Sequence, residues 1–169
     1  MKHVADVMST HLVSCHMNDS MNRAAQLMWE QDCGCLPIVD AEMHVMGIIT
    51  DRDICMATYT QGKLLTDLCV SLACTKEVQT CKATDSLAFA EELMTNAQVR
   101  RLPVLDDYGA LVGLVSIADL AKHMPHKGAT DKVAHRALST VLQAVTRRRH
   151  SADASARPGA GTTDIPTNL

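Results

Sequence analysis

The sequence contains itself twice. Residues 4–54 align with residues 70–120 at a constant offset of 66, with no gap. Twelve positions are identical in that register, among them Val4/Val70, Cys15/Cys81, Asp19/Asp85, Ser20/Ser86, Leu36/Leu102, Pro37/Pro103, Gly47/Gly113 and Asp53/Asp119. Like replaces like at Ile38/Val104, Ile49/Val115 and Thr50/Ser116. A duplication constrains the fold before any residue is read for chemistry, because both copies must take one architecture. Two copies make a pseudo-twofold pair, too few for a solenoid. A site in one copy predicts a counterpart in the other.

Each copy reads as β-α-β-β-α. A short apolar run, Leu12–Cys15 or Val78–Cys81, predicts a first strand. Asn18-Asp19-Ser20 and Thr84-Asp85-Ser86 follow, with side chains suited to accept from the free amides of a helix start. Met21, Ala24, Ala25 and Met28 then repeat at helical spacing, as do Leu87, Ala90, Leu93, Met94 and Ala97. Leu36–Val39 and Leu102–Leu105 are short β-rich runs whose prolines suit a strand start. Turn-like residues lead to second strands at 45–50 and 111–116, and further helices begin near Asp51 and Ile117. The fold class expected is mixed α/β (α+β), with the two units burying their sheets and helices against each other. The divisions are 4–57 for the first repeat, 58–69 for a linker and 70–124 for the second repeat. A separate helix over 131–146 has Ala134, Leu138, Val141, Leu142 and Val145 on one face. Residues 147–169, rich in small and polar types, are expected to be disordered.

Composition narrows the function. With 169 residues and 47% hydrophobic content, one compact domain plus a tail is expected. No apolar stretch approaches the roughly 18–20 residues of a membrane span, and the N-terminus lacks a signal-peptide core. A cytoplasmic protein is the expectation. Seven scattered cysteines suit buried free thiols in a reducing compartment better than a disulfide framework. Net charge is −3, and residues 1–146 carry 12 Lys+Arg against 17 Asp+Glu. Such an acidic body argues against nucleic-acid backbone binding, and four aromatic residues offer no stacking platform.

The chemistry sits where each second strand runs into its helix. Gly47-Ile-Ile-Thr50-Asp51-Arg52-Asp53-Ile54 matches Gly113-Leu-Val-Ser116-Ile117-Ala118-Asp119-Leu120. A hydroxyl three residues before an acid outlines a capping box, and taken once that bland reading would win. The alternative is that the pair faces a ligand cleft at the C-terminal end of a strand. There a carboxylate can accept from both hydroxyls of a ribose, while the Thr or Ser hydroxyl and free helix amides meet a phosphate. The same spacing twice, in register with two Leu-Pro-aliphatic-aliphatic-Asp segments, favours the site.

These motifs resemble the CBS domain, a repeat that pairs into a Bateman module. The resemblance covers residues 4–124 and rests on Asp6-Val7-Met8, Asp19-Ser20, Gly34–Asp40, Gly47–Ile54, Val99–Val104 and Gly113–Leu120. It implies a stand-alone bacterial regulatory protein, usually a homodimer, that is not an enzyme. It also implies an adenosine ligand: AMP, ADP, ATP, NAD or S-adenosylmethionine. Carried over by position, Thr50 and Asp53 hold one ribose, and Ser116 and Asp119 another. Cys33, Gly34, Cys35 and Pro37 line one adenine slot, and Val99, Arg100, Arg101 and Pro103 the other. Ser14 and Thr80 sit at the first-strand ends. Arg52 lies in the first motif, with Ala118 at the matching place in the second. Arg100 and Arg101 flank the second site, so AMP is expected to bind more tightly there. Guanidinium groups near a cleft favour phosphate over a sulfonium. A competing role for Arg101 is pairing with Asp106 or Asp107.

Two other functions fit parts of the chain. The helix over 131–146 could dock a protein partner. Cys33-Gly34-Cys35, with His3, His11, His16, His123 and His126, could serve a metal- or redox-responsive role, although nothing in their spacing fixes four ligands. No catalytic residues and no metal ligands are assigned.

Overall fold

The computed structural model describes residues 2–123 and residue 139. The helix expected over 131–146 and the tail 147–169 lie outside the described residues, apart from Ser139. The first repeat contains α1 (Met21–Glu30), β1 (Cys35–Val39), β2 (Val45–Thr50) and α2 (Asp51–Gln61). The second contains β3 (Cys81–Lys82), α3 (Leu87–Ala97), β4 (Arg101–Leu105), β5 (Leu111–Ser116) and α4 (Ile117–Lys122). Mixed α and β content in two like units is as the sequence predicts.

Local signals set these elements. Ser20 Oγ accepts from the Arg23 amide and Ser86 Oγ from the Phe89 amide, both at 3.2 Å, so both serines cap their helices. Met21, Ala24 and Met28 are buried on one stripe of α1, and Ala90 and Met94 on one stripe of α3. α2 ends at Gly62, whose φ of 61° is the left-handed conformation glycine adopts without a Cβ clash. Strands β1 and β2 pair antiparallel, as do β4 and β5, and the two hairpins share one register: Cys35 faces Thr50 and Arg101 faces Ser116.

The first strands depart from expectation. Leu12–Cys15 contributes a single parallel bridge, Cys15 to Ile38, and Val78–Cys81 contributes only the start of β3. Proline is the reason. Cys15 donates to Pro37 O at 3.1 Å and accepts from Val39 N at 2.9 Å. Extending that ladder one step towards Val13 would need an N–H on Pro37, which has none. Pro103 stops β3 in the same way, because Cys81 pairs with Val104. Pro37 and Pro103, expected at a strand start, are each the third residue of β1 and β4, and they truncate the strands beside them.

The largest departure is that the repeats exchange their leading segments. Val4 N donates to Asp85 O at 2.8 Å, and Ser9 and Leu114 exchange bonds of 2.9 and 3.0 Å. In matching fashion Val70 N donates to Asp19 O at 2.9 Å, and Thr75 and Ile48 exchange bonds of 2.9 and 3.0 Å. Every one of these contacts is displaced by the same offset as the sequence repeat. Val4 and Val7 thus belong to the core of Ala90, Met94, Leu102 and Val115, whereas Leu68 and Val70 belong to that of Met21, Leu36, Ile38 and Ile49. The 58–69 segment is accordingly part helix and part core: α2 runs through Gln61, and Leu68 is buried.

Candidate functional site

Both motifs close as capping boxes with the same geometry. Asp53 Oδ2 accepts from Thr50 N at 2.9 Å and from Thr50 Oγ1 at 2.7 Å, and Thr50 Oγ1 lies 3.3 Å from Asp53 N. In the second copy Asp119 Oδ2 accepts from Ser116 N at 3.0 Å and Ser116 Oγ at 2.6 Å, with Ser116 Oγ 3.2 Å from Asp119 N. The capping reading is therefore satisfied. It leaves chemistry over, because each box uses one carboxylate oxygen and holds the group half-buried in a fixed orientation. Asp53 Oδ1 has no hydrogen-bond partner among the described residues, whereas Asp119 Oδ1 lies 3.8 Å from Lys122 Nζ.

The residues before each Leu-Pro converge on these boxes. Asp51 N donates to Gly34 O at 3.3 Å, and Ile117 N to Arg100 O at 3.1 Å. Cys33 N is tied to Met28 O at 2.9 Å and Val99 N to Met94 O at 3.0 Å. The backbones of Gly34, Cys35, Arg100 and Arg101 are thereby held beside the helix start of their own motif. A cavity of about 440 Å³ opens at the first of these places, lined by Cys33, Gly34, Asp51, Ile54, Met28 and Trp29 among others. Pro37 and Pro103 are buried in the hairpins opposite Ile48 and Leu114. Ser14 immediately precedes the Cys15 bridge. Thr80 lines a separate cavity of about 560 Å³ with Phe89 and Tyr108, which includes none of the second motif's residues.

Arg101 departs most from its expected place. A Cβ built on Gly34 would lie 3.3 Å from Asp51 Oδ2 and 4.0 Å from an Arg101 guanidinium nitrogen. The side chain leaves β4 in the second repeat and reaches Gly34 of the first, although Arg101, like Thr50 and Asp53, is not among the residues lining the 440 Å³ cavity there. The acids that would compete for it are engaged elsewhere: Asp107 lies 3.7 Å from Lys82 Nζ, and Asp106 Oδ1 accepts from the amides of Tyr108 and Ala110 at 2.9 Å.

The exchanged segments bring residues that the motif alone does not reveal. Cys74 and Met8 are equivalent in the repeat, and each packs on the motif glycine of the other copy. A Cβ on Gly47 would meet Cys74 Sγ at 3.5 Å, and one on Gly113 would overlap Met8 Sδ. Thr75, between Cys74 and Lys76, exchanges backbone bonds with Ile48, which sets this segment beside the first motif; burial raises the Cys74 thiol above its ordinary range, with Lys76 opposing the shift and Asp53 adding to it. The only signal for this in the sequence is the Met8/Cys74 pairing at the repeat offset.

Among the described residues the thiols and imidazoles do not gather into a metal-binding cluster. Burial pushes Cys15 and Cys81 up to about 12, with Asp19 and Asp85 acting in the same direction. Cys35 is also raised, by burial first, with Arg101 opposing and Cys33 and Asp51 adding. Cys55 and Cys69 are exposed. Native protein treated at pH 8 with a maleimide is thus expected to label at Cys55 and Cys69 well before Cys15, Cys35 or Cys81, because the thiolate is the nucleophile. Peptide mapping that found Cys15 labelled first would contradict this packing. His3, His11 and His16 each bond separately, to Thr84 O, Gln31 Oε1 and Val39 O at 2.8, 3.0 and 2.9 Å. Among the described residues, the donor atoms that do converge, within 4.8 Å, are those of Asp40, Glu42 and His44 at the β1–β2 turn. There Asp40 accepts from the Glu42 and His44 amides at 3.0 and 2.8 Å and from His44 Nδ1 at 3.1 Å, which accounts for the cluster as a turn.

Comparison with known proteins decides the family. The family model for the CBS domain matches residues 4–59 and again 68–126. The chain belongs to the CBS-domain family. It is 36% identical over 121 residues to CBS domain-containing protein YhcV of Bacillus subtilis, covering 72% of this chain and 84% of that one. Among solved structures, Hypoxic Response Protein I with two coordinated zinc ions matches at TM-score 0.66 and 30% identity, covering 73% of this chain and 100% of that one. The CBS domain pair of protein MJ0100 in complex with 5′-methylthioadenosine and S-adenosyl-L-methionine matches at TM-score 0.63 and 28% identity, covering 72% and 94%. No helix among the described residues is long and apolar enough to cross a membrane.

Proposed function

We propose that this CBS pair is a non-enzymatic sensor of an adenosine nucleotide (AMP, ADP, ATP or NAD), acting in the cytoplasm as a homodimer. The observation that carries this reading is the duplicated capped carboxylate. Asp53 and Asp119 are each oriented by a neighbouring hydroxyl and amide, beside a segment pinned to the same helix start. The adenosine compounds bound by the MJ0100 pair support the ligand class. In this reading the remaining carboxylate oxygen accepts from ribose hydroxyls, and Cys33–Cys35 and Val99–Arg100, with the Arg101 backbone, flank the base. The exchanged segments 4–9 and 70–75 tie each cleft to both repeats. A ligand that fits one arrangement of the repeats better than another then shifts their relative packing by its difference in affinity.

Thermal unfolding with AMP, ADP, ATP, NAD(H) and S-adenosylmethionine tests this, repeated on Asp53→Ala and Asp119→Ala. A ligand at a hundred times its Kd adds about 2.7 kcal/mol, a visible rise in Tm. Each substitution is expected to cost about 1 kcal/mol as a lost cap and, in addition, to reduce the ligand-dependent rise. A rise with none of the five, in protein shown to carry no co-purified nucleotide, would leave the two boxes as helix caps.

A further inference from the structure

We infer that the first cleft is the one that accepts a phosphorylated adenosine, with the second repeat providing cations to it across the pseudo-twofold axis. The inference rests on the adenosine reading and reverses the preference expected from sequence. Arg101 is rooted in β4, yet its guanidinium lies beside Gly34 and Asp51 of the first repeat. Its side chain makes no ion pair or hydrogen bond with any described residue. Lys76 follows Thr75, whose backbone is bonded in both directions to Ile48, two residues before Thr50. Arg52 stands in the first turn of α2.

At the equivalent places the second cleft has Cys35, Thr10 and Ala118, none of them charged as a cation. Among the described residues its own repeat offers Arg100 and Lys122 there, and Lys122 is already 3.8 Å from Asp119 Oδ1. The two ribose carboxylates therefore differ: Asp119 has both oxygens approached by protein groups, whereas Asp53 keeps one open. Helix α2 also presents the N-terminus of an eleven-residue helix to the first cleft. The opposing charges are Asp32, which lines the first cavity, and Asp51, whose carboxylate shares the space over Gly34 with Arg101. Asp51 and Arg101 form no ion pair within 4 Å, so a phosphate can take the guanidinium's fork of N–H donors. The ligand class is thus a 5′-phosphorylated adenosine, in preference to uncharged adenosine or a cationic sulfonium.

Titration calorimetry of the full chain with AMP and with adenosine, at low and high salt, tests the assignment. The wild-type chain is expected to prefer AMP by about tenfold or more, as for one charge-assisted contact. Arg101→Gln is expected to remove most of that preference and to leave adenosine affinity within about twofold, with the salt dependence falling in parallel. Lys76→Gln, at an exposed position that leaves the core intact, is expected to lower AMP affinity in the same selective way. Asp53→Asn is expected to abolish the phosphate-preferring event. A preference for AMP that survives both Arg101→Gln and Lys76→Gln, or that survives Asp53→Asn, overturns the inference while leaving adenosine binding standing. Equal binding of AMP and adenosine to the wild-type chain does the same. Binding of neither compound overturns the adenosine reading, and the inference with it.

Discussion

Leu68→Ala is expected to destabilise the protein by about 2–5 kcal/mol, the range for truncating a buried leucine. By sequence position Leu68 is a linker residue between the repeats, where such a change should cost little. In the structure it is 2% exposed and packs with Met21, Leu36, Ile38 and Ile49. Its carbonyl also accepts from Met21 N at 2.8 Å, which fixes the start of α1. Leu64, 71% exposed and four residues earlier, is the control: Leu64→Ala should stay within about 0.5 kcal/mol. Urea denaturation reads both, with an unchanged m-value showing that stability alone has moved. If the two variants unfold at the same midpoint, Leu68 does not belong to the first core and the exchanged packing around it is wrong.

The two motif glycines should respond differently to one methyl group. Gly47→Ala brings a Cβ to 3.0 Å from Thr75 O and 3.3 Å from Ile38 Cδ1. The carbonyl belongs to the Thr75–Ile48 bond pair that ties the exchanged segment down, so it cannot yield without loosening that segment. Overpacking of this kind costs about 1–3 kcal/mol. Gly113→Ala instead meets the side chain of Met8, an unbranched and adaptable group. A second substitution, Met8→Ala, should therefore relieve most of the Gly113→Ala penalty, measured relative to Met8→Ala alone. Cys74→Ala should leave most of the Gly47→Ala penalty in place, because backbone is the obstacle there. Double-mutant cycles measure both couplings. Equal rescue at the two sites would mean that Thr75 O is not the limiting contact.

The helices α1 and α3, the two hairpins and both Thr/Ser–Asp boxes were legible in the sequence, because each depends on residues a few positions apart. A serine caps the amide three residues on, apolar residues recur at helical spacing, and a hydroxyl–acid pair closes within one turn. The short first strands were legible in principle as well, since Pro37 and Pro103 stand where the ladder would need an N–H. That inference needs the strand register, however, which the apolar runs alone do not define.

By itself the sequence determined that there are two like units and which residues form each box. Only the tertiary structure decided which unit each leading segment packs on and which unit the Arg101 side chain reaches. Val4 and Val70 are the same residue at the same place in the repeat, so the pattern that buries each one is satisfied in its own copy or in the other. The alignment is symmetric to that choice. The path of the chain is not: Val4 is bonded to Asp85 and Val70 to Asp19. The same exchange carries Lys76 to the first motif. Arg101 crosses through the length of its side chain, where Cys35, its equivalent, is too short to cross back.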